Sequence, residues 1–172
     1  MAAVMPIVLT GPESTGKSAL CRALSAHFQI PYVREYARWY LENLGKDYDY
    51  RRLQRLARLH KSYQQSQLPS EGPVLLDTDL LNYYLWSQIV FGKVDAWVAA
   101  AMQEEQHHRY LLTYPDLPWQ PDPLRENPHD RKTLFQRHER QISSLGRPYR
   151  IIRGSGTTRL ENAIRAVSDL LG

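Results

Sequence analysis

One cysteine, Cys21, stands in 172 residues, so the chain can close no internal disulfide and build no cysteine cage for a metal. Its apolar neighbours in a helical pattern predict a small buried hydrophobe and a reducing compartment. No run of about 18 apolar residues occurs, which excludes a membrane-spanning helix and predicts no membrane partner. The opening Met1-Ala2-Ala3-Val4-Met5-Pro6 lacks the basic region of a secretory leader, so a soluble cytoplasmic protein is expected. Internal repeats and low-complexity tracts are missing, and at 42% hydrophobic the chain reads as one domain, residues 1–172. Charge of one sign is not concentrated either. The net charge of +4 is spread along helices, so no nucleic-acid partner is expected. Arg51, Arg52, Arg55, Arg58 and Lys61 do share a helical face, which fits either solvation or an anionic ligand such as a nucleotide.

What is present begins at residue 6. Pro6-Ile7-Val8-Leu9-Thr10 is a short β-branched apolar run that predicts a buried parallel strand. Gly11-Pro12-Glu13-Ser14-Thr15-Gly16-Lys17-Ser18 then fits G-x-x-x-x-G-K-[ST] at every fixed position. Leu20, Leu24 and Phe28 follow at four-residue spacing, one face of a helix. Strand, glycine loop and helix in that order make a polyphosphate cradle: the glycines let successive N–H groups turn inward, and the helix adds its positive end. Gly11, Glu13, Ser14, Thr15, Gly16, Lys17, Ser18 and Ala19 are therefore the expected cofactor-binding residues, holding a nucleoside triphosphate. Lys17 supplies a point charge and Ser18 a hydroxyl ligand for Mg²⁺.

Further strands are predicted at residues 30–33, 73–76, 109–113 and 149–152. Helices are predicted to about residue 44, from an Asp49 cap to about 67, over 80–91, after an Asp95 cap, over 132–145 and over 160–171. Strand–helix alternation repeated five times implies an α/β protein, a P-loop NTPase three-layer sandwich. Its five-stranded, mostly parallel sheet is expected in the order 2-3-1-4-5, with helices on both faces. Glu104, Glu105, His107 and His108 crowd one helix end; a metal site is the alternative there, but no further ligands are spaced to complete a cage, so solvation of that end is expected.

Two acids fall at predicted strand ends. Asp77 closes an apolar strand, the position of a Mg²⁺-handling carboxylate, and Glu35 follows the second strand, where it could take a proton from an acceptor hydroxyl or pair with Arg38. The proline-framed segment 120–131 carries Arg125 and Arg131, and reads as a lid whose arginines neutralise a transferring phosphoryl group while closure keeps water out. Lys17, Glu35, Asp77, Arg125 and Arg131 are thus the candidate catalytic residues, and Ser18 with Asp77 the candidate metal ligands.

Residues 11–18, Glu35-Tyr36-Ala37-Arg38, Asp77-Thr78-Asp79, and Trp119 with Asp122-Pro123-Leu124-Arg125 resemble the kinase domain of the NadR-type ribosylnicotinamide kinases across nearly the whole chain. The resemblance implies transfer of the γ-phosphate of ATP, with Mg²⁺, to the ribose 5′-hydroxyl of nicotinamide riboside, giving nicotinamide mononucleotide for NAD synthesis. It also implies that Glu35, Tyr36, Arg38 and Asp79 form the pocket for this small-molecule nucleoside, and that Gly154 in the loop 154–158 lies near adenine. The nucleotidylyltransferase and DNA-binding domains of full NadR proteins are not expected in 172 residues, so gene repression is not implied. Another nucleoside as acceptor, or a regulatory P-loop ATPase or GTPase, is the alternative.

Overall fold

The structure, a computed structural model, describes residues 3–45, 47–124 and 129–172. Five strands are described: β1 (Val4–Thr10), β2 (Tyr32–Val33), β3 (Gly72–Asp77), β4 (Arg109–Thr113) and β5 (Tyr149–Ile152). Seven helices join and flank them: α1 (Lys17–Phe28), α2 (Tyr36–Leu44), α3 (Tyr50–Gln67), α4 (Leu80–Phe91), α5 (Ala96–Glu104), α6 (Arg131–Ser144) and α7 (Gly156–Leu171). The strands form one parallel sheet in the order β2-β3-β1-β4-β5, the expected order.

Side chains alternate across this sheet and feed two separate cores. Ile7, Leu9, Leu75, Leu111 and Ile152 pack beneath α1 and α7, against Leu24, Ala163 and Val167. Val8, Val74, Leu76, Tyr110 and Leu112 point the other way, to the layer of α2 through α6, against Leu53, Leu81, Val98 and Met102. Each fully buried leucine contributes on the order of 2 kcal/mol relative to exposure. Pro6 is tolerated in the central strand because β4 pairing begins only at Ile7, so on that side its missing N–H falls short of the ladder.

Asp49, Asp79 and Asp95 each cap a helix, accepting hydrogen bonds from Arg52 N, Leu81 N and Trp97 N. The last helix starts at Gly156, four residues before the expected point, with Arg159 N donating to Ser155 O at 3.3 Å. Thr157 and Thr158 are therefore helical, and the expected loop shrinks to its first residues. Among the described residues no helix is long and apolar enough to cross a membrane.

Candidate active site

The loop after β1 owes its shape to positive φ at Gly11 (133°), Ser14 (56°) and Gly16 (76°). A Cβ on Gly11 would lie 2.5 Å from Thr113 Oγ1 and 2.8 Å from the Thr113 carbonyl oxygen, so β4 admits only glycine there. Thr15, fully buried, donates to Pro12 O at 2.8 Å and shares a 2.7 Å hydrogen bond with Thr113 Oγ1. Lys17 Nζ donates to Gly11 O at 3.0 Å and Pro12 O at 2.7 Å, which seats the ammonium over its own loop. Residues 11–19 form one wall of a crevice of about 570 Å³, and Glu35 and Arg38 stand on another.

Glu35 is half-buried, and burial, reinforced by the Asp77 charge and opposed by Lys17 and Arg38, raises its pKa to about 7. Asp77 is 4% exposed, and burial raises its pKa too, against the Ser18 hydrogen bond and Lys17. Its Oδ1 is buried with no hydrogen-bond partner among the described residues. The Ser18 hydroxyl and the Asp77 carboxylate, whose Oδ1 is that orphaned oxygen, make an all-oxygen donor pair that fits Mg²⁺, although Asp77 itself is not among the residues that line the crevice.

Asp79 departs from expectation. Thr78 between the two aspartates has φ +68°, held by Thr78 N to Leu9 O at 3.0 Å and Gln64 Nε2 to Thr78 O at 3.2 Å. Asp79 is fully buried, capping α4 and bonded to His108 Nδ1 at 2.9 Å and the Tyr110 hydroxyl at 2.7 Å. Burial pushes its pKa up, but those bonds outweigh it and leave the pKa below the usual value. It therefore does not line the crevice. Glu105 and His108, expected in solvent, are buried beside it: the three ligand atoms lie within 4.8 Å of one another. Lys61 Nζ, 2.6 Å from Glu105, and Arg147, bonded to the Tyr110 hydroxyl, already balance the acids.

Tyr36 also lies off the crevice lining. Its ring packs on Tyr63, Trp39 and Tyr40 at centroid distances of 5.2, 5.6 and 6.3 Å, which docks α2 on α3, while Ala37 takes the lining position. Arg38 does face the crevice. It bonds Asp122 at 3.0 Å, and Glu42 at 3.3 Å, and so bridges to the start of the segment expected to form a lid. That segment is tied to the phosphate loop as well: Gln120 N donates to Ser14 Oγ at 2.8 Å, and Arg131 donates to Ser14 O at 3.2 Å and Leu117 O at 2.9 Å. Arg131 thus touches the outside of the loop and does not line the crevice. Arg125 falls outside the described residues.

Gly154 sits at the end of β5, its N–H donating to Asp116 at 2.6 Å, away from the crevice lining. The far wall of the crevice was missed in the sequence. Leu41, Leu85, Ile89 and Val90 line it with Trp86 and Tyr48, the indole N–H donating to the Tyr48 hydroxyl at 2.7 Å. Asn82 and His138 add neutral polarity; burial holds His138 at a pKa of about 4. Its Nδ1 lies 2.8 Å from Leu134 O, so that nitrogen carries the proton and Nε2 is an acceptor. No local pattern marks these residues, because α4 and α6 meet only through the fold.

A family model described as an AAA domain matches residues 6–159. The chain belongs to that AAA domain family. A search of curated proteins by sequence finds no match. Among solved structures, NadR protein in complex with NAD and AMP-PNP superposes with a TM-score of 0.78 at 22% identity, covering 98% of this chain and 50% of that one. NadR in complex with NR gives 0.79 at 22%, covering 99% and 51%. The AAA-family chain thus spans about half the length of those NadR chains. Deoxyadenosine kinase from M. mycoides, with dCMP and dCDP bound, gives 0.65 at 13% identity over 96% and 100%. At these identities the likeness establishes a fold shared with the NadR and deoxyadenosine kinase structures.

Proposed function

We propose that this AAA-family chain is an ATP-dependent kinase that transfers the γ-phosphate to the ribose 5′-hydroxyl of nicotinamide riboside, giving nicotinamide mononucleotide. The observation that carries this reading is Glu35: a carboxyl with a pKa of about 7, in the same crevice as Lys17 and beside Asp77. A base poised near the operating pH takes a hydroxyl proton as the oxygen attacks phosphorus, while Lys17 neutralises charge on the phosphoryl oxygens. Ser18 and Asp77 would hold Mg²⁺, which supplies charge neutralisation on the phosphates. The aromatic and aliphatic wall of Trp86, Tyr48 and Leu85 fits a planar base at the end of the acceptor. A solved NadR–NR complex of the same fold favours nicotinamide riboside, and the M. mycoides kinase keeps a deoxynucleoside as the second reading.

Incubation with ATP, Mg²⁺ and a nucleoside panel, followed by mass spectrometry, tests this. Nicotinamide riboside is expected to gain one phosphate faster than any purine or pyrimidine nucleoside. Nucleotide binding with no phosphorylated nucleoside would refute the kinase reading.

A further inference from the structure

Arg159, in the first turn of α7, is 5% exposed, and its guanidinium reaches three loops at once. One arm donates to Asp116 Oδ1 at 2.6 Å and Gly154 O at 2.9 Å; the other donates to Thr15 O at 2.8 Å and Tyr114 O at 3.1 Å. The second Asp116 oxygen accepts from Gly154 N at 2.6 Å, so acid and guanidinium lock together. These loops follow β1, β4 and β5, three neighbours in the sheet. The bond to Thr15 O has a consequence for the next residue. In a planar trans peptide the carbonyl and the following N–H point in opposite directions. Fixing the Thr15 carbonyl toward Arg159 turns the Gly16 N–H away from it, and Gly16 lines the crevice between two residues of the phosphate motif.

We propose that Arg159, held by Asp116, is a positioning residue for the polyphosphate donor: it presets the Thr15–Gly16 peptide so that the Gly16 amide faces the phosphates. The inference rests on the reading that residues 11–18 bind a polyphosphate, and is independent of which nucleoside accepts. The cradle acts only if its amides already converge before the anion arrives, because turning a peptide at the moment of binding consumes affinity. Arginine suits the task because its planar fork spans two directions, which an ammonium cannot do.

The test is calorimetric titration of wild type, Arg159→Lys and Asp116→Asn with AMP-PNP and with inorganic tripolyphosphate, at 10 and 25 °C. Arg159→Lys keeps the charge and loses the fork. It is expected to weaken both probes by a similar factor, about 10-fold to 100-fold, at both temperatures, with acceptor KM at saturating ATP unchanged. Asp116→Asn is expected to shift both in the same direction by less. Unchanged tripolyphosphate affinity in Arg159→Lys overturns the proposal, and so does a loss confined to AMP-PNP. A loss that disappears at 10 °C assigns the residue to stability alone and overturns it equally. Wild type that binds neither probe overturns the donor-site reading itself, a result distinct from all of these.

Discussion

In the proposed kinase, Glu35 and Lys17 divide the work at the scale of single residues. Raising the Glu35 pKa from 4.5 to about 7 means that the folded chain holds a proton there which the unfolded chain has released. From pH 4.5 to 7 the unfolded chain ionises this carboxyl while the folded chain keeps it protonated, so stability falls across that window, and the folded chain's own ionisation near pH 7 creates the base of the proposed kinase. Turnover of the proposed kinase is therefore expected to rise with pH up to about 7. Glu35→Gln is expected to lose roughly 10²-fold to 10⁴-fold in kcat, to lose that acidic limb, and to keep nucleotide affinity, all checked by pH-resolved kinetics and titration. Lys17→Ala is expected to lower turnover by about 10²-fold to 10³-fold, as for removal of one preorganised charge partner. Cys21 has no such part: it is fully buried, and burial, with the Asp77 charge second, pushes its thiol pKa up.

Elements explain what the sequence made legible. The five strands and their order could be read because each strand is a short apolar run bounded by turn chemistry, and because the phosphate motif fixes a strand before it and a helix after it. The position of Glu35 and Asp77 at strand ends was legible for the same reason. Asp79 was not. Residues i and i+2 share a face in an extended strand, and the positive φ at Thr78 breaks that parity, turning Asp77 to Ser18 and Asp79 to His108. A β-branched residue in that conformation carries no sequence signal. Tyr36 and Arg159 were opaque for another reason: what they touch is decided by how α2 meets α3 and how α7 meets three loops. The two aspartates should accordingly separate by experiment. Asp79→Ala removes a helix cap and strands His108 and Tyr110, so urea unfolding is expected to show a loss of about 2 kcal/mol or more. Asp77→Asn is expected to leave stability nearly unchanged or raised, and to abolish Mg²⁺-dependent turnover.

At the scale of the whole molecule, two buried imidazoles on the same face of the sheet make folding sensitive to acid, opposite in sign to Glu35. Burial lowers His60 and His138 from 6.5 to about 4, so both are neutral in the folded chain. Below pH 6.5 the unfolded chain takes up protons that the folded one refuses, and stability is lost as the pH falls toward 4. His60→Gln is expected to flatten that part of the stability curve in chemical denaturation followed from pH 7 to pH 4. The sheet also partitions the interior. The phosphate loop and α1 rest on the core shared with α7, whereas the aromatic wall of the crevice belongs to the core of α2 through α6. One backbone layer therefore stands between the supports of the proposed donor and acceptor sites. Selection, or an engineer, can tune the two Michaelis constants separately: softening beneath α7, as in Val167→Ala, should shift the one for nucleotide, and softening beneath α5, as in Val98→Ala, the one for acceptor.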